Sequence, residues 1–409
     1  MRSTRRGFLG GFLIGAAATP LILAAPGLAL ANAPGDRRFV FIVLRGAMDG
    51  LHAVIPLGDR DYAAARGGLA MTASNTTNLN GFFALHPALA PLKPLYDKHE
   101  FLVVHAVASP YRDRSHFDGQ DVLESGATRP HLLNDGWVNR TLKAIDAGHS
   151  TGLAVSQGIP LAIRGAVPVN SWSPSPLPGL APDTIERIRA LYADDKQFGL
   201  AFEEGVQGET FVANTLSDDG MMAGQHGQNA QNGQKQKRSQ FAALAEATGK
   251  LLAAPDGPRI AVMEALGWDT HVGQGLDKGR MADALTQLGD GIAAMAQAMG
   301  PAWNKTVVVA ASEFGRTVAM NGTNGTDHGT ATAVLIAGGA VAGGRVVAKW
   351  PGLSRGNLYQ ARDLMPTTDL RAVMKGLLRD HLGVPDTALA NAVFPNSATV
   401  TPMGGLVRV

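Results

Sequence analysis

Short apolar runs alternate with segments of helical pattern along this chain, and this alternation constrains its fold more than any other feature. A continuous apolar run is typical of a strand buried on both faces, and strands that alternate with helices indicate a parallel sheet. The sequence therefore predicts an α/β fold, with a mainly parallel sheet and helices on both faces. The predicted strands are 38–44, 101–108, 259–266, 306–311 and 333–337, and the predicted helices are 88–98, 119–125, 276–299 and 368–382.

The chain changes character between about residues 148 and 255. Residues 167–182 are rich in Pro and Ser around Trp172. Residues 224–235 consist mainly of Gln, Asn and Gly, which cannot bury a core, and they predict a mobile loop. We interpret 148–255 as a cap-like insertion over the sheet edge, within a single domain that spans 32–409.

The N-terminus has the pattern of an export signal. Residues 4–9 form a twin-arginine pattern, and an apolar stretch from 12 to 30 ends in the small-residue sequence Ala29-Leu30-Ala31. The stretch is nearly long enough for a retained membrane anchor, but it is rich in Gly and Ala and contains two prolines. We predict a cleaved twin-arginine signal peptide over 1–31, which leaves no stable membrane span. The expected partner is the twin-arginine export machinery, and the expected location is periplasmic or secreted.

Composition excludes several classes of function. The absence of cysteine excludes thiol catalysis, disulfides and all-cysteine zinc sites. The chain has 36 basic and 34 acidic residues, and residues 1–31 hold three of the basic residues and none of the acidic ones. The rest of the chain is therefore almost neutral, which gives no indication of a nucleic-acid-binding surface. No G-x-S-x-G nucleophile elbow is present, which counts against an α/β-hydrolase.

Polar and charged side chains follow four of the five predicted strands. In open parallel sheets, ligands bind beyond the carboxyl ends of the strands, so these side chains are candidates for a functional site. They are Asp49 after the first strand, Arg114, Ser115 and His116 after the second, Asp269 and His271 after the third, and Glu313, Arg316, Asp327 and His328 after the fourth.

Several of these residues have the chemistry of metal ligands. Asp269 and His271 are two residues apart, so in an extended segment their side chains point to the same face. A carboxylate and an imidazole together suit a divalent cation. Asp49 and the pair Asp327 and His328 lie in glycine-containing loops and are further candidate ligands. The alternatives are that Asp269 belongs to the turn before the next helix, and that the other residues only form hydrogen bonds within their loops.

Ser115 lies where the predicted strand 101–108 has ended and a helix begins. Free backbone N–H groups at the start of a helix favour a bound anion, although serine is also a common N-cap residue. Arg114 and Arg316 could hold a phosphate or sulfate by paired hydrogen bonds, or they could pair with nearby acids instead.

Six motifs accompany these candidates: R-G-A-M-D-G-L at 45–51, L-H-P-A-L at 85–89, S-H-F-D-G-Q at 115–120, W-D-T-H at 268–271, S-E-F-G-R-T at 312–317 and T-D-H-G at 326–329. Together with the N-terminus they resemble the exported bacterial proteins grouped as domain of unknown function 1501. That family is similar, more distantly, to the alkaline-phosphatase and sulfatase superfamily. The resemblance covers nearly the whole mature chain. It implies an alkaline-phosphatase-like α/β fold, metal ions at the strand ends, and a small-molecule phosphate or sulfate ester as substrate.

The resemblance also implies roles for the candidate residues. Ser115 is similar to the superfamily's hydroxyl nucleophile at a helix start. Phe314 stands where a His or Asn ligand is common, so a single cation is at least as consistent with the pattern as two. That divalent cation would be zinc, calcium, magnesium or manganese. The implied ligands are Asp49, Asp269, His271, Glu313 and His328, with Asp327 taking part in a shifted site.

We therefore expect an exported, metal-dependent hydrolase of phosphate or sulfate esters. Ser115 would attack phosphorus or sulfur, and Arg114 or Arg316 would balance the charge of the equatorial oxygens. His116 would protonate the leaving group. The alternative is a non-catalytic periplasmic binding or scaffold protein of the same fold, which the departure at Phe314 favours.

Overall fold

The structure is a computed structural model of the 409-residue chain, and it describes residues 36–146, 151–175, 180–216 and 239–408. The predicted signal peptide, 1–31, and the predicted mobile loop, 224–235, lie outside the described residues. The described strands are β1 (Arg38–Leu44), β2 (Val54–Ile55), β3 (Thr77–Asn78), β4 (Ala84–Leu85), β5 (Phe101–Ala108), β6 (Gly152–Val155), β7 (Asn170–Ser171), β8 (Ile260–Ala265), β9 (Thr306–Ser312), β10 (Thr332–Ala337), β11 (Arg345–Val347) and β12 (Thr368–Asp369).

Helices connect most of these strands, and none in the described part of the chain is long and apolar enough to cross a membrane. The α-helices are α1 (Gly50–Ala53), α2 (Tyr62–Arg66), α3 (Lys93–Asp97), α4 (His116–Ser125), α5 (Trp137–Ala144), α6 (Pro182–Leu191), α7 (Lys196–Leu216), α8 (Gln240–Ala253), α9 (Arg280–Met299), α10 (Leu370–Leu382) and α11 (Asp386–Ala388).

One large sheet has the strand order β11-β5-β10-β9-β1-β8-β6-β7, with β12 beside β5. Its strands pair in parallel except at β10, which runs antiparallel to both β5 and β9. Leu44, the last residue of β1, lies opposite Ala265 of β8 and Ser312 of β9. The carboxyl ends of these three strands therefore lie side by side, and β5 ends at the same edge. This arrangement confirms the predicted mainly parallel α/β class.

The direction of β10 places a whole loop at this edge. Residues 313–331, which join β9 to β10, contain no helix that could carry the chain back across the sheet, and a parallel crossover normally needs one. β10 therefore begins where β9 ends. The consequence is that Glu313, Arg316 and His328 all reach the edge from one connection, while Ala337 leads into glycine at the opposite edge.

The sheet separates two apolar clusters, because successive side chains of a strand point to opposite faces. Val40 and Ile42 of β1 face one cluster, and Phe39 and Phe41 face the other. Helices α8 and α9 supply buried side chains to the first cluster, and α5 and α10 supply them to the second. Helices on both faces are thus confirmed.

The stretch interpreted as a cap-like insertion, 148–255, contributes to the sheet itself. β6 and β7 extend the sheet beyond β8, and the backbone N–H of Trp172 donates to the Ala154 carbonyl. Apolar side chains of α8 lie in the first core cluster. The capping role therefore remains a prediction for α6 and α7, which follow β7 along the chain.

Candidate metal centre

Three side chains from three different connections converge at the carboxyl edge of the sheet. His116 begins α4 after β5, Asp269 follows β8, and His328 precedes β10. One ligand atom from each lies within 4.8 Å of the other two. The Nε2 atoms of His116 and His328 are each 3.5 Å from Asp269 Oδ1. Ligands about 2.1 Å from a tetrahedral zinc ion are separated by about 3.4 Å, so the spacing fits a cation.

A third imidazole approaches the same oxygen. His271 Nε2 lies 3.1 Å from Asp269 Oδ1 and 2.9 Å from His328 Nε2. The side chains of Asp269 and His271 therefore point to the same side of the chain, as their two-residue spacing predicts. The four side chains are called the histidine cluster below: His116, Asp269, His271 and His328.

The other ring nitrogen of each histidine faces an oxygen. His116 Nδ1 lies 2.7 Å from Glu313 Oε1, His271 Nδ1 lies 3.1 Å from Asp327 Oδ1, and His328 Nδ1 lies 2.8 Å from the Arg114 carbonyl oxygen. Carbonyl and carboxylate oxygens accept hydrogen bonds, so each Nδ1 carries the donating proton. A neutral imidazole then presents a lone pair at Nε2, which is the arrangement of metal-binding histidines.

The donor set of the cluster requires a positive charge. In the described structure, His116 Nε2 is buried and has no hydrogen-bond partner. The lone pairs on the Nε2 atoms of His271 and His328 would face each other at 2.9 Å unless a proton or a cation lies between or beside them. Imidazole nitrogen and carboxylate oxygen are suitable ligands for zinc and several other divalent metals. The residues present therefore fit a cation.

Shifted pKa values follow from this packing. Burial lowers the pKa of His328, and the charges of His116 and Arg316 lower it further, which keeps the imidazole neutral. The hydrogen bond from its ring to Glu313 raises the pKa of His116. Burial alone would raise the pKa of Asp269, but the hydrogen bond and charge of Arg316 bring it below its usual value. Asp269 is therefore ionised at neutral pH.

Glu313 holds His116 from a fully buried position. Its Oε1 accepts hydrogen bonds from His116, from the Gly46 backbone N–H at 2.9 Å and from Gln120 Nε2 at 3.2 Å. Its Oε2 accepts from the Ser312 hydroxyl at 2.8 Å. Burial would raise the pKa of Glu313, but these hydrogen bonds lower it. The sequence-predicted ligand Glu313 thus lies behind His116, where it fixes the ring rather than joining the cluster.

Asp327 has the equivalent place behind His271. Its Oδ1 accepts from His271 and from Asn321 Nδ2 at 3.0 Å. The hydrogen bond from Asn321 lowers the pKa of Asp327, and that from His271 lowers it further. The structure therefore brings the predicted ligands Asp327 and Glu313 to the outer side of the histidine cluster.

Asp49 lies in a different polar group. Its Oδ2 lies 2.6 Å from the buried Arg66 guanidinium and accepts from Gln274 at 2.8 Å, while Oδ1 accepts from the backbone N–H groups of Leu51 and His52. Burial would raise the pKa of Asp49, but the charge of Arg66 lowers it. The structure thus places Asp49 as the N-cap of α1, and its oxygens are occupied by protein donors.

The two candidate anion-binding arginines have different surroundings. Arg316 is buried, with Nη1 2.8 Å from Asp269 Oδ1 and Nε 3.1 Å from the Thr326 hydroxyl. The Arg114 guanidinium instead pairs with buried Asp363, with Nη2 2.7 Å from Oδ2. The backbone of Arg114 has a φ of 60°, a left-handed conformation that costs a residue with a side chain about 1–2 kcal/mol. Its carbonyl is the acceptor of His328 Nδ1, so the strained residue orients a cluster histidine.

Ser115 is the N-cap of α4, but its side chain makes no capping hydrogen bond. Its backbone N–H donates to the Tyr111 hydroxyl at 3.1 Å. Beside it, the Phe314 ring stacks on His116 at 5.1 Å and lies 5.2 Å from His328. Phe314 thus packs against the cluster and supplies no ligand.

One side of α4 carries residues that sequence reasoning did not single out. Gln120 Oε1 accepts from Arg45 Nη1 at 2.8 Å, and Arg45 also lies 2.8 Å from Glu124. His116, Gln120 and Glu124 are four residues apart, and this spacing puts them on one face of a helix. That periodicity was the signal available in the sequence. Together with Glu313 they connect β1, α4 and β9 behind the cluster.

The protein thus has a mainly parallel α/β sheet, with a cluster of histidine and carboxylate side chains at the carboxyl edge of that sheet. The chain belongs to the DUF1501 family, described as proteins of unknown function, whose family model matches residues 105–392. This is the family that the sequence motifs resemble. A comparison with curated protein sequences finds no significant match.

Solved structures match the chain distantly. The C-terminal periplasmic domain of EcEptC from Escherichia coli, in complex with Zn, is 12% identical, with 76% of each chain covered and a TM-score of 0.33. A phosphonate monoester hydrolase of Agrobacterium radiobacter is 11% identical, with 86% of this chain and 75% of that chain covered and a TM-score of 0.38. The PsFucS1 sulfatase from Pseudoalteromonas sp. is 12% identical, with 76% of this chain and 64% of that chain covered and a TM-score of 0.33.

Proposed function

We propose that this protein is an exported hydrolase of phosphate or sulfate esters that depends on a divalent metal ion. The observation that carries the proposal is the convergence of three imidazole Nε2 atoms on Asp269, with every Nδ1 held by an oxygen acceptor. His116, Asp269, His271 and His328 would hold the ion. When bound, the ion would supply Lewis-acid polarisation of a phosphoryl or sulfuryl oxygen.

Ser115 is the proposed nucleophile, because it directly precedes His116 and its hydroxyl is not used for helix capping. Its Oγ would bond to phosphorus or sulfur as the bond to the alcohol oxygen breaks, and the hydroxyl proton would end on the released alcohol. Water would then hydrolyse the serine ester and restore the hydroxyl. The buried Arg316 guanidinium is paired with Asp269 and Thr326, so we propose that it positions Asp269 and does not bind the ester.

Two further roles in this proposal differ from those expected from the sequence. His116 Nε2 points at Asp269, so we propose it as a ligand instead of the acid for the leaving group. The Arg114 guanidinium is committed to Asp363, so we propose that Arg114 positions His328 through its carbonyl and does not bind the ester.

The test is a panel of phosphate monoesters, phosphate diesters and sulfate esters, assayed with Zn²⁺, Ca²⁺, Mg²⁺ and Mn²⁺ in turn. We expect turnover that a chelator removes and one of these ions restores. Asp269→Ala should lose both the bound metal and the activity. Ser115→Ala should retain the metal and lose turnover by at least about a thousandfold, the scale at which a missing nucleophile acts.

A matched control is Asp97→Ala, because Asp97 is an exposed residue at the end of α3 that pairs with Lys93. It should keep both metal and activity. Equal activity of Ser115→Ala and the wild type would exclude Ser115 as the nucleophile. Absence of metal from purified wild-type protein, together with full stability of Asp269→Ala, would contradict the metal centre.

A non-catalytic metal-binding protein is the second candidate. Phe314 occupies the space beside His116 and His328, and both candidate arginines are already paired with carboxylates. This candidate predicts stoichiometric metal that Asp269→Ala removes, with no hydrolysis of any ester in the panel. The ester panel therefore distinguishes the two functions directly.

Export through the twin-arginine pathway rests on residues 4–9 and on the Ala29-Leu30-Ala31 sequence. We expect N-terminal sequencing of the exported protein to begin at about residue 32. Substitution of Arg5 and Arg6 by Lys should retain the protein in the cytoplasm. An intact N-terminus on protein recovered outside the cytoplasm would contradict cleavage.

A further inference from the structure

One buried glutamine connects the two loops that carry most of the histidine cluster. Gln274 lies in the connection after β8, and its Oε1 accepts from two buried hydroxyls, that of Thr270 at 2.9 Å and that of Thr326 at 2.7 Å. Thr270 stands between the two cluster residues of its own loop, and Thr326 stands two residues before His328. The two loops therefore meet at a single side-chain oxygen.

The surroundings of Gln274 fix the orientation of its amide. Its Nε2 donates to Asp49 Oδ2 at 2.8 Å, and an ionised carboxylate can only accept. The Oε1 must therefore face the two hydroxyls. The buried Arg66 guanidinium lies 2.6 Å from the same Asp49 oxygen and holds that carboxylate in place. One amide thus joins the connection after β1, where Asp49 lies, to both loops.

A further path leads from this amide to Asp269. The Thr326 hydroxyl gives its one proton to Gln274 and accepts from Arg316 Nε at 3.1 Å. Arg316 Nη1 in turn lies 2.8 Å from Asp269 Oδ1. Without the Gln274 oxygen the hydroxyl could turn, and the guanidinium that holds Asp269 would lose a fixed acceptor. The amide and both hydroxyls are buried, where an unpaired polar group costs free energy.

We infer that Gln274 is a positioning residue of the histidine cluster. It acts through Thr270 and Thr326, and it sets where the two loops hold their ligand side chains. The inference rests on the metal centre proposed above and adds a residue to it. It also assigns a role to Asp49, which the sequence predicts as a ligand: Asp49 fixes the amide that positions the centre.

The test is Gln274→Met in the full exported chain, because methionine keeps the length of the side chain and removes the amide. The matched control is Asn139→Leu on α5, since Asn139 is also a buried amide, with three hydrogen bonds to Ile163 and Val167. Both variants should lose similar amounts of unfolding free energy. Only Gln274→Met should weaken the binding of Zn²⁺, measured by calorimetry, by about 2- to 30-fold, the usual range for coupling through side-chain networks.

A measurement on the metal-free protein separates this inference from the metal centre. NMR of the histidine rings should show that Gln274→Met shifts the signals of His271 and His328, which lie on the two loops. His381 is the internal reference, because its Nε2 contacts the Arg38 carbonyl at the opposite edge of the sheet. If the wild type binds no metal, the proposed centre fails, and the ring signals still test Gln274.

Thr270→Val decides the matter if Gln274→Met does not fold. It keeps the shape of the threonine and removes one donor to the Gln274 oxygen. It should shift the His271 ring signals and weaken Zn²⁺ binding in the same direction. Wild-type Zn²⁺ affinity and unmoved ring signals in every variant that folds would overturn the inference. Equal weakening in Asn139→Leu would also overturn it, since the effect would then follow from lost stability alone.

Discussion

At the scale of single residues, the ability of the cluster to bind a cation depends on which ring nitrogen of each of its three histidines carries the proton. Glu313, Asp327 and the Arg114 carbonyl each accept from one Nδ1, which leaves the Nε2 lone pairs for a cation. Such outer partners raise the basicity of a ligating imidazole and commonly affect metal affinity 10- to 100-fold. We therefore expect substitutions of these acceptors to weaken cation binding at the proposed site.

Glu313→Gln tests this dependence with little change in shape. The new amide oxygen can accept from His116 and Gly46, and the amide NH₂ can donate to the Ser312 hydroxyl, which now lies 2.8 Å from Oε2. We expect metal affinity to fall by about 10- to 100-fold. The pKa of His116 in the metal-free protein should also fall, because the hydrogen bond to Glu313 is the main cause that raises it.

Metal titration and NMR titration of the His116 ring measure these two effects, and urea unfolding provides the control. The free energy of unfolding should change by less than about 1 kcal/mol if the amide keeps its hydrogen bonds. Unchanged metal affinity in a correctly folded Glu313→Gln protein would exclude Glu313 as a partner of a ligand.

The residue types of the site were predictable, but the division between ligands and partners was not. Acids and histidines after the strands indicate a cation site, and His271 and Asp269 meet as their spacing predicts. A carboxylate can bind a metal, accept from a histidine, or pair with an arginine. Which of these it does depends on neighbours distant in sequence, such as Arg66 for Asp49. No local pattern carries that information.

At the scale of elements, the direction of β10 was predictable from the connection that precedes it, although not from the apolar pattern of the strand itself. The connection 313–331 is rich in Gly, Thr and Asn and contains no helical pattern, whereas a parallel crossover usually needs a helix. The apolar run 333–337 alone cannot distinguish the two directions. The contribution of β6 and β7 to the sheet could not be predicted, because strands of four and two residues are too short to show a recognisable apolar pattern.

Helix α4 connects the centre to the sheet through one face. Gln120 accepts from Arg45 and donates to Glu313, and Arg45 in turn pairs with Glu124 and Glu264. Burial raises the pKa of Glu124, against the opposing charge of Arg45. A helix held at its start and along one side keeps His116 fixed relative to β9.

Gln120→Leu should loosen this connection. The leucine has nearly the same size, but it leaves Glu313 with one donor fewer and Arg45 with one acceptor fewer. We expect a loss of about 1–3 kcal/mol in the free energy of unfolding, the usual cost of leaving buried polar groups unpaired, and weaker metal binding. Asp121→Asn on the same helix is the control, because Asp121 contacts the loop at His131 instead. Equal metal affinity in Gln120→Leu and Asp121→Asn would show that the α4 face has no effect on the centre.

At the scale of the whole molecule, the described core contains four histidines outside the histidine cluster: His52, His86, His105 and His381. Burial lowers the pKa of His86, and the other three are shifted further. His52, His105 and His381 are buried on separate elements, and burial lowers the pKa of each to about 4. The contacts of His105 explain why it stays neutral. Its Nε2 donates to the Val54 carbonyl at 3.0 Å, and its Nδ1 accepts from the Ala106 N–H at 2.8 Å. A second ring proton would meet that N–H directly.

These histidines make the stability of the fold sensitive to acid. Their pKa of about 4 in the folded protein is below the value of about 6.5 that histidine has when unfolded. Between these values the unfolded chain binds more protons than the folded protein does. The free energy of unfolding therefore falls as the pH falls from about 6.5 towards 4, and each histidine contributes a loss of up to about 3 kcal/mol. Well above pH 6.5 these histidines are neutral in both the folded and the unfolded chain, so they no longer make the free energy of unfolding depend on pH.

His105→Gln should reduce this acid sensitivity, whatever its effect on stability at neutral pH. Removing one of these buried titrating groups should lessen the loss of unfolding free energy between pH 6.5 and pH 4 by up to about 3 kcal/mol. Urea unfolding at half-unit pH steps measures the slope. Phe83→Leu is the matched control, because the Phe83 ring stacks on His105 at 5.5 Å and the substitution lowers stability without removing a titrating group. Its curve should run below that of the wild type with the same slope. If His105→Gln also retains the wild-type slope, the His105 imidazole accepts a proton in the folded core, and the assignment of a buried neutral histidine is wrong.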